Sequence, residues 1–135
     1  MAPLHVLLVD AEPSYLLRCR SRLEQDGHEV LMATDCQSAL DLATQMAPDL
    51  IILAMVLPPT GGLAVLEALR AEERTRAVPV VVLSSNTERR LVERSRELGV
   101  PDYLTKDVTT PAVRSAWPPK WPGPHPAPLP PRPPT

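Results

Sequence analysis

An α/β fold, one sheet of five parallel strands doubly wound by helices, is predicted by three features of this sequence. Apolar runs of strand length alternate strictly with segments of helical period. Most of those runs are apolar on both faces, as strands covered on both sides must be. A cap, a glycine or a proline stands where each helix should start or stop. With 135 residues and 44% hydrophobic content, the chain is long enough for one domain with a real core and too short for two.

The candidate strands are "LHVLLV" (4–9), "EVLMA" (29–33), "LIILA" (50–54), "VPVVVL" (78–83) and the short "DYL" (102–104). Between the first two, a helix is expected from about Pro13 to Asp26, with Pro13 in its opening turn, Leu16, Cys19 and Leu23 on one face, and Gly27 at its end. The second helix, Cys36 to about Ala47, is capped by Asp35 and stopped by Pro48. The third runs from Leu63 to Glu73 with Leu63, Leu66 and Leu69 on one face; the fourth from Glu88 to Leu98, with Thr87 as cap and Gly99 beyond. Strict alternation implies right-handed crossovers, and it gathers functional groups at the carboxyl ends of the strands.

Composition excludes several classes of function. Residues 1–107 hold all 16 acids against 11 Lys and Arg, a net −5, whereas the remainder carries three basic groups and no acid. A nucleic-acid surface would need a clustered basic face. Cys19 and Cys36 have no CxxC spacing and no histidines at metal-ligand distance, so they read as small buried apolar residues. "MAPLHVLLVD" lacks the basic-then-apolar layout of a signal peptide, and no run is long enough for a membrane span. An intracellular, cytoplasmic protein is expected, with no membrane contact.

The strand ends read "LLVDAEP", "LAMVLPPTGG", "VVLSSN" and "DYLTKD". With "PDLIIL", "GGLAVLEALR" and "TRAVPVVVLSS" at these separations, residues 3–107 resemble the receiver domain of two-component response regulators. That resemblance implies a flavodoxin-like sheet of order 2-1-3-4-5 and a phosphoryl-accepting aspartate at the end of the third strand. It also implies a divalent cation held by an acidic pair, the acceptor and a backbone carbonyl. Carried over, the acidic pair falls on Asp10 and Ala11, the acceptor on Ala54, the signalling hydroxyl on Ser84, the switch aromatic on Tyr103 and the phosphate-contacting lysine on Lys106.

Two of the three carboxylates are thus replaced by methyl groups. Ala54 cannot form an acyl phosphate. Neither Glu12, at the start of the first helix, nor Asp49, about 16 Å away at the opposite end of the third strand, is placed to substitute. With one vestigial ligand, Asp10, no metal and no cofactor are expected, Mg²⁺ entering only if the site keeps other ligands. Ser84 reads as a strand-end hydroxyl bonded to backbone, Lys106 as a partner of Asp10, and Tyr103 as packing or a partner contact. His5 and His28, near the beginnings of two strands, are given no role. The turn after the third strand has Pro59 and Gly61 where the family has Gly then Asp, and Asp107 stands where it has a proline after the lysine.

From about residue 111 the composition changes, and 11 of the chain's 18 prolines lie between Pro111 and Pro134. Residues 1–110 are expected to be the receiver-like domain, and 111–135 a disordered proline-rich tail in place of a fifth helix. Its Val113, Ala116, Trp117 and Trp121 either fold back over the sheet or leave an apolar patch there. "PLPPRPP" is compatible with docking in an aromatic groove. The expected function is a receiver-like, non-enzymatic signalling module of a phosphorelay that works by protein contact without accepting phosphate. The implied partner is a histidine kinase or another signalling protein, with a homodimer as an alternative and no direct DNA binding. Two other readings stay open: an ordinary receiver with its aspartates replaced, and a truncated or frame-shifted inactive fragment.

Overall fold

The computed structural model describes residues 4–85, 88–100 and 103–105. In chain order the elements are β1 (His5–Val9), α1 (Pro13–Gln25), β2 (Glu29–Ala33), α2 (Cys36–Met46), β3 (Leu50–Leu53), α3 (Gly62–Ala71), β4 (Val80–Ser84), α4 (Arg89–Glu97) and β5 (Tyr103–Thr105). All strand pairs are parallel and the order is β2-β1-β3-β4-β5. The expected flavodoxin-like order of the first four strands and the four helices is what the chain adopts. Lys106, Asp107, Thr87 and the whole proline-rich tail lie outside the described residues.

Alternation along the strands divides the core into two layers. Leu7, Val9, Ile51, Leu53, Val80 and Val82 face α2, α3 and α4. Val6, Leu8, Leu50, Ile52, Val81 and Leu83 face α1. This two-sided burial is why "LIIL" contains no polar residue: each such side chain taken from water stabilises the fold by about 1.5–3 kcal/mol. Cys19 and Cys36 are both buried, as their apolar surroundings predict.

Helix boundaries follow local chemistry. Pro13 occupies the first turn of α1, which buries Tyr15, Leu16, Cys19 and Leu23. Asp35 caps α2 by accepting the Ser38 N–H at 2.8 Å, a bond that also lowers its carboxyl pKa. Ala47, in the left-handed region at φ 45°, ends α2 just before Pro48.

Three expectations are corrected. In α3 the buried side is Gly62, Val65, Leu66 and Leu69, with Leu63 only partly covered. A three-residue repeat drifts off a helix face that turns every 3.6 residues. Helix α4 starts at Arg89, with Glu88 in the cap position. Strand β4 starts at Val80 rather than residue 78, because the Val78 N–H is spent on the Thr75 carbonyl at 3.0 Å and Pro79 has none to give.

Arg70, near the end of α3, fastens three segments. Its Nε donates to the Leu98 carbonyl at 2.6 Å, and Nη1 to the carbonyls of Arg76 and Val78 at 3.1 and 2.7 Å. Burial pulls the guanidinium pKa below its ordinary value, yet an arginine stays charged at any ordinary pH. No helix among the described residues is long and apolar enough to cross a membrane.

Candidate functional site

The carboxyl ends of β1, β3, β4 and β5 meet at one edge of the sheet. Register aligns Val9 with Leu53 and Leu53 with Val82, so Asp10 and Ala54 leave adjacent strands side by side. Backbone bonds hold them there: the Ala54 N–H donates to the Val9 carbonyl at 2.9 Å and the Asp10 N–H to the Ala33 carbonyl at 3.1 Å. Ala54 is the first residue beyond β3 and is 4% exposed. Asp10 is buried, and its Oδ1 accepts the Glu12 N–H at 2.9 Å. Ala11, partly buried, packs onto the α2–α3 layer.

The loop from β3 to α3 is drawn tightly over this edge. Gly61 and Gly62 donate to the carbonyls of Leu57 and Met55 at 2.7 and 2.8 Å. A Cβ on Gly62 would lie 2.0 Å from the Ala54 carbonyl oxygen. In consequence Met55 and Leu57 point inward while Val56, 60% exposed, stands at the mouth. Of the three apolar side chains near this edge, Val56 is exposed, Ala11 is partly covered and Ala54 is buried.

Ser84 and Tyr103 form the other half. Ser84, the last residue of β4, is buried, and its side chain is hydrogen-bonded to that of Tyr103. Desolvation raises the Tyr103 pKa, the nearby Glu88 adds to that rise, and the Ser84 bond opposes it. Tyr103 remains a neutral phenol at physiological pH, half-buried against the α2–α3 layer. The structure therefore brings together Asp10, Ala11, Ala54, Ser84 and Tyr103; Lys106 falls outside the described residues.

The receiver resemblance implies a divalent cation, and the donor set can be tested against one. A hard cation such as Mg²⁺ needs near-octahedral oxygen ligation. Asp10 supplies a carboxylate with one oxygen already engaged by a backbone N–H; Ala11 and Ala54 supply no side-chain oxygen. Among the described residues no group of three or more His, Cys, Asp or Glu is arranged to hold a metal. Among the described residues, Asp10 is thus the one side-chain carboxylate of the three that the resemblance implies for such an ion.

At the opposite end of the sheet the two histidines passed over in the sequence occupy a built environment. His5, His28, Glu24, Glu29, Val30, Leu31 and Met46 line a cleft of about 400 Å³. The His5 imidazole pairs with Glu29, and the His5 main-chain N–H donates to the Asp49 carboxylate at 2.8 Å, which places Asp49 at the far end of β3 from Ala54, as expected. His28 Nδ1 accepts the Leu4 N–H at 3.0 Å. Burial lowers the His28 pKa below its ordinary 6.5, against a smaller opposing pull from Asp26.

A group whose folded pKa is depressed contributes stability above its unfolded value, and loses it as pH falls toward the folded value. The urea midpoint should therefore decline between pH 7 and pH 5, and the decline should be smaller in His28→Asn, whose amide oxygen replaces the neutral acceptor. An identical decline in the variant would assign the acid sensitivity to other groups. No sequence periodicity marks His28; its signal is a titratable residue directly ahead of an apolar strand.

Comparison with known proteins agrees with this geometry. Residues 6–117 match the response regulator receiver domain family. The chain is 30% identical over 103 residues to Protein PilH of Pseudomonas aeruginosa, covering 76% of this chain and 85% of that protein. It is 35% identical over 101 residues to the DNA-binding dual master transcriptional regulator RpaA of Synechocystis sp., covering 75% of this chain but only 42% of RpaA. Among solved structures, the Mn(2+)-bound form of response regulator Rcp1 superposes with a TM-score of 0.72 at 29% identity, over 78% of this chain and 83% of that one. With the fold, the strand-end arrangement and a match over most of its length in agreement, this chain belongs to the response regulator receiver domain family of two-component systems.

Proposed function

We propose that this chain is a receiver module that has given up phosphoryl chemistry and signals by protein contact alone. The observation that supports this most strongly is Ala54, buried at the carboxyl end of β3 beside Asp10, where a phosphoacceptor would need a carboxylate oxygen as nucleophile. Ala11 removes a second oxygen from the same edge. Rcp1 has a Mn(2+)-bound form; in this chain Ala11 and Ala54 bring no side-chain oxygen to the strand ends, which supports a reading without a divalent cation or other cofactor. Nothing in the arrangement calls for an enzymatic role.

Partners follow from the same reading. A histidine kinase or another signalling protein would meet the strand-end loops at the exposed Val56 and the partly exposed Ala11, where burying apolar surface rather than transferring phosphate supplies the binding energy. A homodimer is the alternative assembly. The net −5 of residues 1–107 favours a role without direct DNA contact, and a cytoplasmic location suits such a module.

Incubation with acetyl phosphate and Mg²⁺ should leave the intact mass unchanged. A stoichiometric, base-labile gain of one phosphoryl group would identify another acceptor and end the contact-only reading.

A further inference from the structure

Strand β2 stands last on its side of the sheet, and among the described residues only β1 pairs with it. In a parallel ladder alternate residues turn their main-chain groups toward the neighbouring strand. The Glu29 N–H donates to the Leu4 carbonyl at 2.9 Å and the Ala33 carbonyl accepts the Asp10 N–H at 3.1 Å, so residues 29, 31 and 33 face β1. Val30 and Met32 therefore hold their N–H and C=O groups outward, at the two-residue spacing that another strand would match. Such edges are commonly blunted by lysine, proline or a bulge. The body of β2, "EVLMA", has none of these; its register with β1 is unbroken, its one charge stands at its start, and Val30, Leu31 and Met32 are all partly exposed.

The cleft beside His5 and His28 opens along the first half of this edge, since Glu29, Val30 and Leu31 all line it. Helix α1 contributes Glu24 on the side of Val30, and α2 contributes Met46 on the side of Leu31. Met46 is 46% exposed, one of three large apolar side chains so placed among the described residues. Glu24 pairs with Arg20 at 3.1 Å and Glu29 with His5, a single partner for each carboxylate, which can accept about four bonds. An acidic rim over an apolar wall suits a lysine or arginine, whose stem lies on apolar surface while its head meets a carboxylate. The net −5 of residues 1–107 likewise favours a basic partner over a second copy of the same chain.

We propose that the outer edge of β2 takes up an extended, basic segment of a partner protein as a sixth strand. A lysine or arginine of that segment reaches Glu24 on the α1 side, and the residue next to it, turned to the other face by the strand's alternation, packs on Leu31 and Met46. The main-chain groups of Val30 and Met32 supply affinity in either strand direction, and the cleft supplies selectivity. This surface is separate from the strand-end loops at Val56, so it stands whether or not phosphoryl chemistry has been lost. A second copy of the chain, or the chain's own residues outside the described set, are the rival occupants.

The probe is a fluorescent peptide of four Lys-Val repeats, titrated into the full chain and followed by polarisation. It should bind at least about tenfold more tightly than the same peptide N-methylated at every residue, which keeps the charge and loses the main-chain donors. Val30→Pro removes one outward N–H and no bond to β1, so it should weaken binding about tenfold while the melting temperature changes little. Glu24→Lys should turn the preference toward a Glu-Val peptide. In hydrogen exchange the Val30 and Met32 amides should be fast in the free protein and slow several-fold with the Lys-Val peptide. Absence of binding, or equal binding of the N-methylated peptide, would overturn the proposal, and this arm holds even if Val30→Pro fails to fold. Protection of the two amides without peptide would overturn it in favour of a second copy where it grows with protein concentration, and of the chain's own residues where it does not.

Discussion

Replacing Gly62 by alanine is expected to destabilise the protein by at least about 3 kcal/mol, at the upper end of what overpacking costs. The new Cβ would lie 2.0 Å from the Ala54 carbonyl oxygen, 2.9 Å from its carbonyl carbon and 2.9 Å from Met55 Cα. All three are backbone atoms, so no flexible side chain can swing aside. The Ala54 N–H is bonded to Val9, and β3 lies between β1 and β4, which leaves the strand no direction of retreat.

Gly61 is the internal comparison. Its φ of +96° disfavours any side chain, but a Cβ there meets only the Met55 carbonyl oxygen at 3.5 Å, an ordinary contact. Gly61→Ala should therefore cost about 1–2 kcal/mol, the strain of a left-handed backbone without a collision. Urea denaturation of both variants checks the order. If Gly61→Ala is the more damaging, the approach of α3 to the end of β3 is looser than these distances imply.

Restoring carboxylates at the strand ends should produce the second large effect. Asp10 is buried, and so is Ala54 beside it. In the double variant Ala11→Asp/Ala54→Asp, three acids would converge on one edge of the sheet. In chelator the variant should be less stable than the parent by about 1–3 kcal/mol, because like charges are brought together out of water. Mg²⁺ should return stability to the variant, by about 2.7 kcal/mol at a hundredfold excess over its dissociation constant. The parent's melting temperature should not respond to millimolar Mg²⁺. Stabilisation of the parent by Mg²⁺ at the same concentrations would show that Asp10 has recruited other ligands.

Most of the architecture could be read from residue pattern because a doubly covered sheet imposes a strong one. "LIIL" and "VVVL" tolerate no polar group, and Pro13, Asp35 and Pro48 act on the backbone within one turn of their own positions. The errors came where a distant group decides. Leu63 has the spacing of a core residue and packs against the core, but at the margin of the buried face, where it is only partly covered. The bond between the side chains of Ser84 and Tyr103 joins residues nineteen positions apart, which no local pattern announces.

The candidate site divides in the same way. That Asp10 and Ala54 stand together follows from strand order, which alternation of strand and helix predicts. Their burial, and the closure of the loop over them, depends on Gly62 seated against the Ala54 carbonyl, an approach that a glycine in a turn sequence does not announce.

The Arg70 clasp carries a consequence for how this domain tolerates mutation. Its three acceptors, at Arg76, Val78 and Leu98, are all main-chain carbonyls, so the side chains at those positions can change without removing a single acceptor. The attachment of the α3–β4 loop and of the end of α4 is thereby concentrated on one codon. Even lysine at position 70 would forfeit the join, since an ammonium lacks the planar fork that reaches several oxygens at once. The surface around the clasp is free to diversify, and only its centre is not.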